Sequence, residues 1–378
     1  MVHVATEYGV LSQTFVADAV EAAAAAGWEG TVATLDATAA ERFRYPPPER
    51  VLSVGRASVL RRLTRRLAGR SAAEEFAATF ADRLAATPPD IVHAHFGWSG
   101  VYAAPLARRF RVPLVCTFHA SDVTVFPRPP ATAAEVSPTY ADLFAGLDRA
   151  LVVSRFIGDR LEALGWRGPT TLLPAGTWTS RFSFRGDPPE PPPVRVLFVG
   201  RLVRRKGCDL LIRAFASLDR QDTVLDIVGD GPERASLEAL VDECGLQGRV
   251  AFHGAVEADA VRTHLGQAHL LVLAARTMPD GEVEGSPVIL KEALAVGVPV
   301  VATDNGGTAE VLPPGYADEI VPEEDVPALA GRMAAVLGRP ETWQERSLTG
   351  RAWVEAEFDW QALGARTASI YAELAPTT

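Results

Sequence analysis

An α/β protein of two doubly wound, parallel-sheet domains is the fold this sequence predicts, on three observations. The chain of 378 residues exceeds one ordinary domain and suits two, each with its own core. Short apolar runs alternate with amphipathic Ala/Leu/Arg stretches, the pattern of strands followed by covering helices. The alternation halts at Asp187-Pro-Pro-Glu-Pro-Pro-Pro193 and then restarts. Proline at that density forms neither helix nor inner strand, so the run reads as a stiff connector. Domains at 1–186 and 194–359 follow, with 187–193 as the linker. Two such domains should form a cleft, and ligands of such sheets bind at the carboxyl ends of the strands.

The elements follow in order. Buried strands are expected at Val2–Ala5, Thr31–Leu35, Ile91–Ala94, Pro113–Thr117 and Ala150–Val153, with helices at Phe15–Ala26, Ser71–Ala86 and Val101–Phe110 between them. The second half repeats the cycle, with strands at Arg195–Val199, Val224–Val228, Val250–Phe252, Leu270–Leu273, Val298–Ala302 and Glu319–Val321. Its helices are expected at Cys208–Leu218, Arg234–Cys244, Glu257–Ala268, Pro287–Ala295, Thr308–Val311 and Val326–Leu337. A last helical stretch, Trp360–Leu374, follows the completed second domain. No repeat of fixed period is visible, which argues against a solenoid or propeller.

Composition narrows the function. Apolar residues at 48% and charged residues at 22% are globular proportions, not disordered ones. Three cysteines without a CxxC pair argue against a disulfide framework or a structural zinc site. No basic leader precedes an apolar stretch and no apolar run reaches 18 residues, so a cytoplasmic protein is expected. The net charge of −10 argues against nucleic acid as a partner. That charge lies wholly in residues 194–378, which hold 17 basic against 28 acidic residues; residues 1–193 hold 20 against 19. Only two of the 37 basic side chains are lysines, Lys206 and Lys291.

The most informative segment is Gly281-Glu-Val-Glu284-Gly285-Ser286-Pro287-Val288, continuing through Lys291 to Glu292. Ser286 suits a helix N-cap and Pro287 the first helical position. A helix start offers free backbone N–H groups and partial positive charge, which fits a diphosphate. Glu284 and Glu292, eight residues apart, could each accept hydroxyl hydrogen bonds from a sugar or ribose. A second segment, Phe198-Val-Gly200-Arg201 followed by Lys206-Gly207, places two cations at a strand's carboxyl end, where they can hold a diphosphate without a metal. Arg204 and Arg205 read as a solvated loop. Third, His119 and Asp122 follow a buried strand of the first domain, where a side chain should reach the cleft. His93 and His95 share a strand face; without a third ligand they read as packing or cleft lining. Val228-Gly-Asp-Gly-Pro-Glu233 is a βα turn of little specificity. Arg56–Arg70 holds six arginines beside leucines at helical spacing, a solvated helix face in the plain reading and a weak peripheral contact with anionic lipid in the sharper one. There is no GxxxxGK[ST], GxSxG, HExxH or D-x-D.

Together these residues resemble the retaining GT4 family of glycosyltransferases, whose fold is GT-B. Gly200-Arg201, Lys206-Gly207, Gly229-Asp-Gly-Pro232, Phe252-His-Gly254, the Glu284/Glu292 pair and Asn305-Gly-Gly307 with Glu310 appear in the family's order. The resemblance implies two Rossmann-like domains facing a cleft, the first on the acceptor side and the second holding a nucleotide sugar, with 360–378 crossing back onto the first. It implies that Arg201 and Lys206 neutralise the donor diphosphate and that the segment Gly285 to Val288, through Ser286 and Pro287, offers it backbone N–H groups beside Gly200. Glu292 would hold the ribose, Glu284 would lie against the transferred sugar, and the strand end at His253 would face the base. His119 corresponds to the family's first-domain histidine near the reacting carbon.

Leu11-Ser12-Gln-Thr14-Phe15 and Pro279-Asp-Gly-Glu-Val-Glu-Gly285 are similar to loops of exopolysaccharide transferases of the colanic acid and amylovoran kind; Ser12, Thr14 and Asp122 are the candidates for the acceptor side. The family's Gly-Gly pair is missing from the first loop, and Ala175-Gly-Thr-Trp178 stands where Asn-Gly-Val-Asp is usual. The implied reaction is retaining transfer from a UDP- or GDP-sugar to a saccharide, a lipid-linked acceptor or a small natural product, with no cofactor and no metal. Two alternatives keep the fold: an epimerase acting on the nucleotide sugar, and a two-domain sugar-binding protein without catalysis.

Overall fold

The computed structural model describes residues 1–8, 13–37, 45–54, 71–130, 132 and 135–375. It divides into two compact units, 1–176 with 360–378 and 177–359.

In the first unit, seven parallel strands form one sheet: β1 Val2–Val4, β2 Thr31–Thr34, β3 Val51–Ser53, β4 Val92–His95, β5 Leu114–Phe118, β6 Arg149–Val152 and β7 Thr170–Leu172. Their order is β3-β2-β1-β4-β5-β6-β7, and the order reverses between β1 and β4. The central strands β4 and β5 are buried throughout, as continuous apolar runs in a helix-covered sheet require. The two strands that the apolar runs do not announce, β3 and β7, are three-residue sheet edges with no buried residue. The expected helices form at Thr14–Ala25, Ala72–Leu84 and Gly97–Phe110, the second opened by a capping box between Ser71 and Glu74. An additional helix, Arg155–Ala163, buries only Ile157 and Leu161, too short a stripe to stand out in the sequence.

The helix Trp360–Leu374 belongs to this unit, as the crossing-back expectation holds. It lies so close to the helix Thr14–Ala25 that a Cβ on Gly364 would stand 2.5 Å from the carbonyl oxygen of Ala22.

The second unit is a six-stranded parallel sheet of β8 Val194–Val199, β9 Thr223–Val228, β10 Val250–Gly254, β11 Leu270–Leu273, β12 Val300–Thr303 and β13 Ile320–Val321. The order β10-β9-β8-β11-β12-β13 reverses between β8 and β11. Each expected helix is present, Thr308–Val311 as the 3-10 turn Ala309–Val311. The helix Trp343–Glu357 is an addition. It buries Trp343, Ser347, Gly350 and Val354, a face with two small or polar members and hence no apolar stripe.

The boundary lies at Gly176/Thr177, not at the proline run. Residues before the prolines are tied to the second unit: Thr177 N–H donates to the Phe358 carbonyl (2.9 Å), Arg185 N–H to that of Val296 (3.1 Å), and the Arg185 guanidinium to that of Gly297 (3.0 Å). Asp187–Pro193 is therefore a segment inside that unit. Among the described residues no helix is long and apolar enough to cross a membrane.

Candidate functional site

The second unit's group is built at its switch point. The chain leaves β8 through Gly200 and turns through the 3-10 segment Arg204–Lys206 into Gly207, whose φ is +66°. A Cβ there would stand 1.6 Å from the Ala274 carbonyl oxygen just past β11, so only glycine lets the loop close on that strand. The closure sets Lys206 Nζ 2.8 Å from Glu284 Oε1. Arg205, expected in solvent, donates to the same oxygen and sets its Nε 3.1 Å from the Glu282 carboxylate. Arg201 is exposed. The second cation on Glu284 is therefore Arg205, a residue the sequence offered no reason to prefer over Arg204.

Glu284 is buried. Burial raises its carboxyl pKa, but Lys206 and Arg205 outweigh burial and hold it below the usual value. Its backbone is fixed as firmly: its N–H donates to Asn305 Oδ1 (2.8 Å), and its carbonyl accepts from Gly307 N–H (2.9 Å). Asn305 is held in turn by donating to Glu323 (2.7 Å) and Thr277 Oγ1 (3.1 Å). Asn305 is thus a positioning residue, present in the Asn305-Gly-Gly307 motif but given no role by its spacing.

The helix that follows spans Val288–Val296, with Pro287 at its N-cap position rather than inside the first turn. Ser286 does not cap it. Its hydroxyl and carbonyl instead accept from Lys291 Nζ at 2.7 and 3.2 Å, and the amine also lies over the Phe358 ring at 4.9 Å. Burial lowers the Lys291 pKa to about 7, against the opposing charge of Glu292. Pro287 has no N–H, so Gly285, Ser286 and Val288 supply the donors of this loop. Glu292 is half-buried in the second turn. His253 stands on the edge strand β10 with its Nε2 2.8 Å from Asp226 and its ring 4.4 Å from that of His264, so its imidazole is already engaged.

In the first unit, His119 follows β5 with its ring between those of Phe96 (4.3 Å) and Phe15 (4.7 Å). Asp122, expected on the acceptor side, is spent on the backbone. It is fully buried, and its carboxylate accepts from the backbone N–H groups of Gly97 (2.8 Å), His119 (3.0 Å) and Ala120 (2.9 Å). Burial raises its pKa to about 6 in spite of those donors. Thr14 is exposed at the first residue of its helix. Ser12 and Arg56–Arg70 lie outside the described residues.

His93 and His95 acquire a third neighbour that the sequence did not suggest, His3 on β1. His3 Nδ1 lies 3.1 Å from His95 Nε2, while the two nitrogens of His93 meet Tyr371 Oη (2.5 Å) and Thr117 Oγ1 (2.8 Å). Burial holds all three imidazoles well toward the neutral form. With both His93 nitrogens taken, the trio is a hydrogen-bonded core cluster that joins β1, β4 and the last helix.

The family model for glycosyl transferases group 1 matches residues 181–353, and that for a glycosyl transferase 4-like domain matches 12–176. WcaL of Salmonella typhimurium, described as a putative colanic acid biosynthesis glycosyltransferase, is 31% identical over 74% of this chain and 70% of its own length. The amylovoran biosynthesis glycosyltransferase AmsK of Erwinia amylovora is 29% identical over 76% of this chain and 70% of its own. Sucrose-phosphate synthase from Thermosynechococcus elongatus superposes with a TM-score of 0.77 over 99% of this chain and 98% of its own, at 23% identity. Anabaena HepE in complex with UDP-glucose gives 0.77 over 99% of both chains, at 16% identity.

Proposed function

The chain belongs to the group 1, type-4-like glycosyltransferases of GT-B fold, and from that premise we propose that it is a metal-independent, retaining hexosyltransferase. It takes a UDP- or GDP-sugar as donor and a saccharide, lipid-linked or small natural-product acceptor, and it works in the cytoplasm. The observation that carries this reading is the convergence of Lys206, Arg205 and Glu284 beside the helix start at Val288, at the switch point of the second sheet.

The chemistry follows from that arrangement. As the bond between the anomeric carbon and the diphosphate breaks, charge grows on the leaving phosphate. Lys206 and Arg205 stand ready to balance it, and the loop N–H groups before Val288 add a third positive contribution. Arg201, exposed beside them, can swing onto the outer phosphate. The acceptor hydroxyl attacks the face that the diphosphate leaves and passes its proton to a departing phosphate oxygen. Glu284, held against Lys206, steadies the transferred sugar, and His119 is assigned to the same sugar by the family resemblance. Glu282 and Glu284 each face a cation, which supports a reading in which these acids do not hold a metal.

The reading is tested by a thermal-shift screen of nucleotide sugars followed by transfer and hydrolysis assays with each donor that stabilises the protein. A protein that no UDP- or GDP-sugar stabilises is not this enzyme. Glu292→Ala should weaken nucleotide binding by about 1.5–3 kcal/mol, the value of a charged hydrogen bond to ribose, while Glu284→Ala keeps the affinity and lowers turnover. Calorimetry with UDP and GDP separates the two, and undiminished affinity in Glu292→Ala removes the ribose assignment. His119→Ala should lower kcat with the melting temperature unchanged; the reverse pattern assigns His119 to packing.

A further inference from the structure

We propose that Lys291 is a positioning residue of the second unit's nucleotide site: its amine holds Ser286, fixes the loop from Gly285 to Val288, and keeps the helix start behind that loop open to a diphosphate. The inference rests on the transferase reading and adds to it a residue that acts through Ser286.

Lys291 is out of place by composition. It is fully buried, at 0% exposure, in the helix Val288–Val296, whose other buried residues are all apolar. A side chain that merely filled this space would be apolar too, because burying an ammonium is costly unless specific bonds offset the cost. Those bonds run to the half-buried Ser286, whose hydroxyl and carbonyl oxygens lie 2.7 and 3.2 Å from Nζ. The ring of Phe358, 4.9 Å from the amine, lies beneath it. Phe358 is itself buried, and its carbonyl accepts from Thr177 N–H (2.9 Å), so this support is fixed. The link to Ser286 holds in either protonation state. The ammonium donates to both oxygens; the neutral amine donates to the carbonyl and accepts from the hydroxyl.

The contact acts on the loop in two ways. First, it supplies an anchor where the backbone would otherwise be loose. Glu284 is fixed at one end of the loop by Asn305 and Gly307, and Pro287 restricts φ at the other. Ser286 stands between them, and Lys291 reaches it from one turn along the following helix. Second, the contact decides what Ser286 does with its hydroxyl. A serine just before a helix ordinarily turns back to accept from a first-turn N–H. Here its oxygen is engaged by Lys291, no side chain caps the helix among the described residues, and no acidic residue stands in the first turn. The N–H groups of the helix start are thus not consumed by a side-chain cap, the condition in which they can take an anionic ligand.

The test compares the full chain with Lys291→Met, Ser286→Ala and the two combined. Methionine keeps the length of the side chain and loses the amine; alanine keeps the Ser286 N–H and loses the hydroxyl. Calorimetry with UDP, GDP, uridine and guanosine separates the diphosphate from the nucleoside. For the nucleotide that the wild type binds, Lys291→Met should weaken the diphosphate about tenfold, the scale of a lost hydrogen bond to a charged group, and leave the nucleoside unchanged. Ser286→Ala should weaken it about threefold, and the combined variant no more than Lys291→Met alone. Amide hydrogen exchange of the ligand-free protein should quicken at Gly285 and Ser286 in every variant. Undiminished diphosphate affinity in Lys291→Met, with or without a lower melting temperature, would assign the lysine to packing and overturn the proposal. So would equal losses of nucleotide and nucleoside, or single losses that multiply in the combined variant. If Lys291→Met does not fold, Ser286→Ala decides: unchanged exchange at Gly285 with unchanged diphosphate affinity overturns the proposal, and the expected changes support it. Each of those failures leaves the donor reading standing, whereas a wild type that binds neither UDP nor GDP would remove that reading and this proposal with it.

Discussion

Lys206→Ala should lower kcat by about 10²–10³-fold, the scale of losing one preorganised charge stabiliser. The lysine is pinned by Gly207 and by Glu284, so its charge needs no reorganisation when the diphosphate departs. The structure makes this a clean experiment. Glu284 keeps Arg205 when Lys206 is removed, so the buried carboxylate retains a cation and the fold should survive. Lys206→Arg should restore only part of the rate, because a planar fork does not replace a compact ammonium. Turnover measured in excess EDTA belongs to the same experiment and should equal turnover without it. Activity lost in EDTA and recovered with magnesium or manganese would refute the metal-free mechanism; near-normal turnover in Lys206→Ala would take this lysine out of it.

Asp122→Ala should destabilise the first unit by roughly 3–5 kcal/mol, since three backbone N–H groups lose their acceptor at once in a buried place. Denaturant unfolding reads the effect directly, and a loss below about 1 kcal/mol would show that the carboxylate is dispensable. The pH dependence has a definite sign. Asp122 has its pKa raised to about 6 in the folded protein, against about 4 for an unfolded aspartate. Between those values the folded state binds the extra proton, so this group's contribution to stability falls as pH rises through the window. Asp122→Asn should remove that slope.

The two aspects of Asp122 show how the sequence can give a residue's place without its role. Its position just past a buried strand was legible, because β5 is an uninterrupted apolar run. The donors that consume its carboxylate were not, since Gly97 lies 25 residues away. The same division holds elsewhere. Lys206 stood out because lysine is scarce in this chain, whereas Arg205 looked like its neighbours until the fold set it against Glu284, 79 positions away. His93 and His95 were visibly on one face; His3 joins them only because β1 pairs with β4 in register.

What the sequence determined by itself is whatever local periodicity and local chemistry encode: the buried strands, the amphipathic helices, the restart that marks two domains, and the Glu284–Glu292 segment with its helix start. A strand buried on both faces must be apolar, and a helix start selects a narrow set of residues. What only the tertiary structure decided depends on pairs far apart in the chain. The domain boundary moved to Gly176/Thr177 because Arg185 and Thr177 find their hydrogen-bond partners near Val296 and Phe358. The edges β3 and β7 exist because a neighbouring strand offers them a ladder, with no apolar run to announce them. Each buried polar group must find a partner, and burial makes that demand costly to leave unmet. The identity of the partner is fixed by how the chain folds back on itself, which no local pattern records.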